Sequence, residues 1–277
     1  MGEQVLENNT RNKMSNIGID TSSSPHFILV HGVSHGGWCW YKVRALLETS
    51  GCSVTCIDLK ASGIDSSHPD SVVSFNDYNH PLLNLLASLP NHKKVILVGH
   101  SAGGINVTDA LHKFPEKIQA AVYIAATMLK LGFHSDQDLK DGVPDLSEFG
   151  QAYDLRFALG MDQPPTSFII KKELQRQILY QMSPLEDSAL ASLLLRPAPM
   201  VLTQVKYEEA RKESENVDRI YIKTLQDRVM KPEQQENMIK RWAPSQVYAI
   251  GSDHSPFFSN PLVLSGLLLK VATLPTL

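Results

Sequence analysis

The stretch Lys94 to Thr108 constrains this chain more than any other. Val95-Ile-Leu-Val98 is an apolar run suited to a strand buried on both faces. Gly99-His100-Ser101-Ala102-Gly103 follows, and then a run compatible with a helix. G-x-S-x-G between a strand and a helix makes a sharp elbow that lifts the serine hydroxyl off the sheet edge. Two positions before and two after the serine, a Cβ would strike neighbouring backbone, which is why Gly99 and Gly103 stand there. Gly104 extends the low-bulk surface, so the helix lies close to the strands. The helix start aims free N–H groups and partial positive charge at the place where an oxyanion would form. Ser101 is therefore the candidate nucleophile.

The rest of the chain supplies the setting that such an elbow needs. Apolar runs at His26 to Val30, Ser53 to Asp58, Gln119 to Ala125, Arg219 to Leu225 and Gln246 to Ile250 read as strands. Helical patterns fall between them: Trp40 to Thr49 with Gly51 as its stop, Ser74 to Leu89 bent at Pro81, and Pro261 to Thr273. Strands alternating with helices predict an α/β fold, a mostly parallel sheet covered by helices. Residues 128–207 break that rhythm, with proline-rich turns at Asp141 to Pro144, Gln163 to Pro165 and Arg196 to Pro199. Ser183-Pro-Leu-Glu186 reads as a helix start. No strand is expected there, so 128–207 is assigned as an inserted helical cap, with 25–127 and 208–277 as the core. Residues 1–24 are polar without an apolar h-region and are expected to be a disordered leader.

Composition narrows the classes. The 277 residues carry a net charge of −3 with no Lys/Arg block, against nucleic-acid binding. No apolar run is long enough to span a bilayer, so no membrane partner is expected. Cys39, Cys52 and Cys56 match neither a disulfide framework nor a zinc site, and a cytoplasmic setting with reduced thiols follows. His31 and His35 are four apart, but the glycines around them disfavour the helix that a metal-binding pair needs, and no third ligand is near. Neither metal nor cofactor is expected.

A serine hydroxyl needs a base that takes its proton as it attacks. In this arrangement the partners follow in the order Ser, Asp, His. His254 is the histidine that lies after the strand 246–250, in Gly251 to Pro256. Asp227 follows the strand ending at Leu225 and would hold His254 in one tautomer. Asp253 and Asp58 are rivals: the first adjoins His254 but diverges from it, the second precedes the serine. The oxyanion requires two backbone donors, Ala102 N–H after the nucleophile and Val33 N–H in the glycine-rich loop His31 to Trp38. Gly32, His100, Phe149, Tyr153 and Ser255 are candidate pocket residues, with Phe157 and Phe168 as further roofing aromatics. His112 is assigned to the helix surface, and Lys171 to Arg176 to a solvated helix face.

Phe27 to Gly32, His35 to Lys42, Asp58 to Gly63, Pro81-Leu-Leu83, Val95 to Gly104 and Phe114 to Ile118 resemble the plant methylesterase family. That family also contains α-hydroxynitrile lyases and an alkaloid-pathway aldehyde esterase. The resemblance runs from about Pro25 to Leu274. It implies an α/β-hydrolase fold with a helical cap, a commonly dimeric state, and a triad at Ser101, Asp227 and His254. Asp141 to Ser147, Asp227 to Gln235 and Ser252 to Pro261 look like the subgroup associated with methyl indole-3-acetate hydrolysis. Many relatives have Met after the base histidine, where this chain has Ser255. The lyases carry Thr in place of Gly32 and Lys in place of Ser255, so lyase chemistry is not expected. The implied activity is that of a serine carboxylesterase acting on a small methyl ester. An esterase of an indole-alkaloid pathway, whose product then loses CO2, and a hydrolase-fold hormone receptor are the alternatives.

Overall fold

The computed structural model describes residues 24–207 and 211–274. The expectation of a leader over 1–24 lies, but for Ser24, outside the described residues. Chain order in the first half is β1 (His26–Val30), α1 (Tyr41–Thr49), β2 (Ser53–Ile57), α2 (Phe75–Ser88), β3 (Val95–His100), α3 (Gly103–Lys113) and β4 (Ile118–Ile124). Ser74 opens α2 as expected, its Oγ accepting from Asp77 N at 3.1 Å, and Gly51 ends α1 with φ +84°. β8 (Asp218–Thr224), α7 (Pro232–Arg241), β9 (Gln246–Ile250), the short α8 (Pro256–Ser259) and α9 (Pro261–Ala272) complete the core.

The six core strands form one sheet in the order β2-β1-β3-β4-β8-β9, and all five pairings are parallel. Alternation along each strand splits the core in two. Phe27, Leu29, Ile96, Val98, Val122 and Ile124 join the side that also buries Val43 and Leu47 of α1 and Leu264 and Leu268 of α9. Ile28, Val30, Leu97, Ala121 and Tyr123 join the other, with Leu82 and Leu86 of α2 and Val107 and Leu111 of α3. No described helix is long and apolar enough to cross a membrane.

The inserted region is not purely helical. It holds α4 (Asp136–Gly142), α5 (Lys172–Leu179) and α6 (Leu185–Leu194), but also three strands: β5 (Tyr153–Arg156), β6 (Ser167–Ile170) and β7 (Ala198–Pro199). These form an antiparallel sheet in the order β5-β6-β7. The expectation of no strand between 128 and 207 is corrected. The strands are two to four residues long, and Pro199 stands at a sheet edge, where a missing N–H costs nothing. Ser183 does not cap a helix either. Its Oγ donates to Asp253 instead, and α6 begins two residues later with Glu186 and Asp187 in its first turn. Lys171 to Arg176 is largely exposed as expected, except that Gln175 is buried and donates to Ile170 O.

At the elbow, backbone meets backbone. Ser101 holds φ +55°, a left-handed conformation rare for a residue with a side chain. A Cβ on Gly99 would lie 2.8 Å from Gly103 O, one on Gly103 2.6 Å from His31 O, and one on Gly104 2.4 Å from Thr127 O. The strained turn is fastened to β4 and beyond: Ser101 N donates to Ile124 O, and Ser101 O accepts from Gly104 N and Thr127 N. Because the obstacles at Gly104 are the main-chain carbonyl of Thr127 and the Cβ of Ala126, Gly104→Ala meets no flexible side chain that could swing aside. It is expected to lose about 1–3 kcal/mol of stability, read as a lowered midpoint in urea unfolding. An unshifted midpoint would show that this packing is slack.

Candidate active site

Ser101, His254, Val33 and Ala102 line one cavity of about 220 Å3 between the C-terminal ends of the core strands and the insertion. Ser101 arrives on the β3–α3 elbow and His254 on the loop after β9. His254 Nδ1 lies 2.8 and 3.0 Å from the two carboxylate oxygens of Asp227. The carboxylate accepts, so Nδ1 carries the hydrogen, and in the neutral imidazole the lone pair is then on Nε2. Asp227 is itself saturated: Thr224 Oγ1–H donates to one oxygen, and the N–H groups of Val229 and Met230 donate to the other. Among the described residues, Ser101 Oγ has no hydrogen-bond partner. Such bonds are often unmade until substrate seats.

The rival acids are occupied elsewhere. Asp253 accepts from Met182 N, Ser183 Oγ and Ser255 N, none of them on the imidazole. Asp58 accepts from Gly37 N at 2.7 Å and braces the loop after β1.

Val33 N–H and Ala102 N–H have no acceptor among the described residues. Two histidines fix the first of these. His31 Nδ1–H donates to Gly32 O at 2.8 Å, while its Nε2 accepts from Leu59 N. The Gly32–Val33 peptide is planar and trans, so holding its oxygen to one side turns Val33 N–H to the other. His35 Nδ1–H donates to Val33 O at 2.8 Å, and its Nε2 accepts from Tyr180 OH at 2.7 Å. Both imidazoles thus order backbone, a use that the spacing of His31 and His35 alone does not reveal.

The expected pocket residues divide. Gly32, His100 and Tyr153 line the cavity, as does Phe168. Phe149 does not; it ends a short turn before Gly150 at φ +68° and packs against the hydrophobic core. Ser255 does not either. It is fully buried behind His254, where its carbonyl accepts from Phe258 N and Ser259 N at the start of α8. Phe157 lies outside the lining. His112 is not on the surface but buried edge-on against Tyr207, with ring centroids 5.3 Å apart, because α3 is covered on all sides. Residues that sequence reasoning missed include Ile105, Phe133, Val143, Leu155, Met200 and Met230 of the cavity wall. Their periodicity carries only burial.

A serine on a strained strand–helix elbow, a carboxylate-held imidazole and a parallel sheet beneath them define the α/β-hydrolase class. Residues 25–261 match the family described as alpha/beta hydrolase fold. Methylesterase 17 of Arabidopsis thaliana is 60% identical over 252 residues, covering 90% of this chain and 91% of its own length. The crystal structure of an Arabidopsis methylesterase superposes with a TM-score of 0.82 at 41% identity, covering 90% of this chain and 99% of its own. That of polyneuridine aldehyde esterase gives 0.79 at 30% identity, covering 90% and 100%. The chain belongs to the plant methylesterase family of α/β-hydrolases, and it is a carboxylic ester hydrolase.

Burial holds His31, His35 and His100 in their neutral form. It lowers His35 to about 3 and places His31 and His100 below the ordinary value, His100 well below it, where a proton on neighbouring His254 would add repulsion. Below the ordinary histidine value of 6.5, the unfolded chain takes up protons that the folded chain refuses. Stability is therefore fully present above 6.5 and lost as pH falls toward the folded values. For His35 this amounts to about 1.4 kcal/mol per pH unit between 6.5 and about 3. Melting temperature is expected to be flat from pH 8 to 7 and to drop steadily from pH 6 to 4. A constant melting temperature down to pH 4 would contradict the buried neutral state.

Proposed function

We propose that this enzyme hydrolyses small methyl esters with an aromatic or indolic acyl group, of which methyl indole-3-acetate is the type, through an acyl-enzyme at Ser101. The observation that carries the reading is the double contact of Asp227 with His254 Nδ1, which leaves Nε2 as a base in the cavity that Ser101 lines.

Ser101 Oγ attacks the ester carbonyl carbon as its proton passes to His254 Nε2. The carbonyl oxygen becomes an oxyanion, bound by the N–H groups of Val33 and Ala102. Collapse breaks the bond to methoxide, which takes the proton from His254 and leaves as methanol. Water then attacks the acyl-serine and gives a proton to His254. The second collapse returns that proton to Ser101 and releases the carboxylic acid.

The lining supports the acyl group. Phe133, Tyr153 and Phe168 offer aromatic faces, Ile105, Val143, Leu155 and Met230 aliphatic ones, and no Lys, Arg, Asp or Glu is among the lining residues. A neutral, flat, apolar acyl group matches such walls. The product carboxylate meets no cation there, which favours its departure. At about 220 Å3 the cavity lies below the roughly 300–1,000 Å3 of drug-sized ligand sites. That size favours a one- or two-ring acid over a polycyclic alkaloid ester, the alternative raised by the likeness to polyneuridine aldehyde esterase. Gly32 and Ser255 supply neither the hydroxyl nor the ammonium of the cyanohydrin-cleaving relatives. The three unpaired cysteines favour a reducing compartment such as the cytosol.

Ser101→Ala is expected to abolish hydrolysis while leaving the melting temperature within a few degrees of wild type. In a side-by-side panel of methyl indole-3-acetate, methyl jasmonate, methyl salicylate and a methyl-ester indole alkaloid, the indolic monocarboxylate should show the highest kcat/KM. Full activity in Ser101→Ala would refute the mechanism. Preference for the alkaloid would refute the substrate size, and a wild type that binds these esters but completes a single turnover would favour a receptor.

A further inference from the structure

One turn of the insertion, residues 180–183, bonds to each of the three core loops that form the site. Tyr180 OH donates to His35 Nε2 at 2.7 Å, and His35 in turn holds Val33 O in the oxyanion loop. Gln181 Nε2–H donates to Gln226 O at 2.6 Å, next to Asp227. Met182 N and Ser183 Oγ donate to one oxygen of Asp253, at 2.9 and 2.8 Å, next to His254. The other oxygen of Asp253 accepts from Ser255 N at 3.0 Å, so this carboxylate brackets the main chain of His254. Tyr180, Ser183 and Asp253 are all buried.

We propose that the turn 180–183 is a template that sets the relative positions of the oxyanion, acid and base loops, and that Asp253 is the positioning residue through which it holds His254. The inference rests on the serine-esterase reading above. The three loops follow β1, β8 and β9, which β3 and β4 separate in the sheet, so no ladder ties the β1 loop to the other two. The acid and base loops share the bond Gln226 N to Ser252 O, whereas the loop after β1 meets the base side only by ring packing of His35 and Trp38 on Phe257 and Phe258, with no hydrogen bond to either loop among the described residues. The turn closes that gap. Every partner in these contacts is neutral except Asp253, and three donors converge on its two oxygens. An asparagine there keeps one acceptor oxygen and turns an N–H toward a main-chain N–H, so Asp253→Asn breaks the bracket with little change in volume.

Placement errors of about 1 Å cost up to a hundredfold in rate. Asp253→Asn is expected to lower kcat at least tenfold on a p-nitrophenyl ester with KM little changed. The rate at which a fluorophosphonate labels Ser101 should fall in parallel, and labelling does not depend on the natural ester. Tyr180→Phe and Ser183→Ala each lose one bond and should give smaller losses of the same kind; they carry the test if Asp253→Asn does not fold. Their double variant should lose less than the product of the two, since both act through one turn. Tyr41→Phe removes a different tie between core and insertion, the bond to Asp187, and should leave kcat and labelling unchanged. Wild-type kcat and labelling in Asp253→Asn, or equal losses in Tyr41→Phe, overturn the inference while Ser101→Ala still reports on the esterase reading. A wild type that neither hydrolyses nor labels overturns both.

Discussion

The close approach of main chain to main chain beneath Ser101 is the constraint on which this structure depends. A serine at φ +55° is unfavourable by about 1–3 kcal/mol relative to an ordinary conformation. It persists because its N–H and carbonyl are bonded to Ile124, Gly104 and Thr127, all reached across gaps too narrow for a side chain. The glycines at 99, 103 and 104 are therefore conditions for the serine's geometry as much as for the packing of α3. The same closeness brings His31 O within 2.6 Å of where a Gly103 Cβ would be. The oxyanion loop and the elbow are set against each other by contact, without an intervening side chain.

Around this point the protein buries polar groups but few charges. His31, His35 and His100 are all fully or nearly fully buried, and each spends a nitrogen on a main-chain carbonyl: those of Gly32, Val33 and His254. A neutral imidazole suits this task because it is rigid, donates on one side, and accepts or stays silent on the other. An ammonium or guanidinium in the same place would stabilise the ground-state carboxylate of the product as well as the transition state. On the proposed mechanism, neutral walls reserve strong electrostatics for the moment when the oxyanion forms.

The core was legible because its signals are redundant. β1, β3 and β4 are largely apolar runs, glycine spacing points to Ser101, and chain order with strand ends points to Asp227 and His254. The insertion was not, for physical reasons. Tyr153-Asp-Leu-Arg156 is four residues with two charges, and its pairing with Ser167 to Ile170 comes from tertiary placement rather than from a local pattern. Ser183 has every local mark of a helix cap, yet a buried carboxylate seventy residues away outcompetes the helix for its hydroxyl. Periodicity placed His112 on an outer face, but α3 has no outer face once residues 205–207 and Trp242 cover it. Ser255 is not a pocket residue because adjacency to His254 says nothing about which way a side chain turns, and Phe149 is not because aromatic character in the insertion does not distinguish roof from packing.

Core and insertion divide the work of the cavity unevenly. The core supplies the groups proposed to make and break bonds, on loops whose positions follow from the sheet. The insertion supplies most of the apolar wall, from Phe133 and Val143 through Tyr153, Phe168 and Leu179 to Met200. Several of these side chains also pack into the core clusters, Leu179 and Tyr153 on one side of the sheet and Phe133 and Val143 with Ile105 and Met230, so wall and core are built together. The turn 180–183 crosses this separation most fully, its hydrogen bonds reaching all three loops of the core, with Arg196 N to Ser34 O and Arg228 Nη1 to Gln177 O as further single ties. An insertion fastened in this way cannot lift as one rigid lid without dragging the histidine loop along. The β5–β6 hairpin is pinned separately, Thr166 Oγ1 donating to Asp70 Oδ1 of the core at 2.6 Å. Hairpin and turn are joined through α5, whose first turn bonds back to Ile170 through Gln175. The roof is thus tied at both ends to the core that carries Ser101, Asp227 and His254.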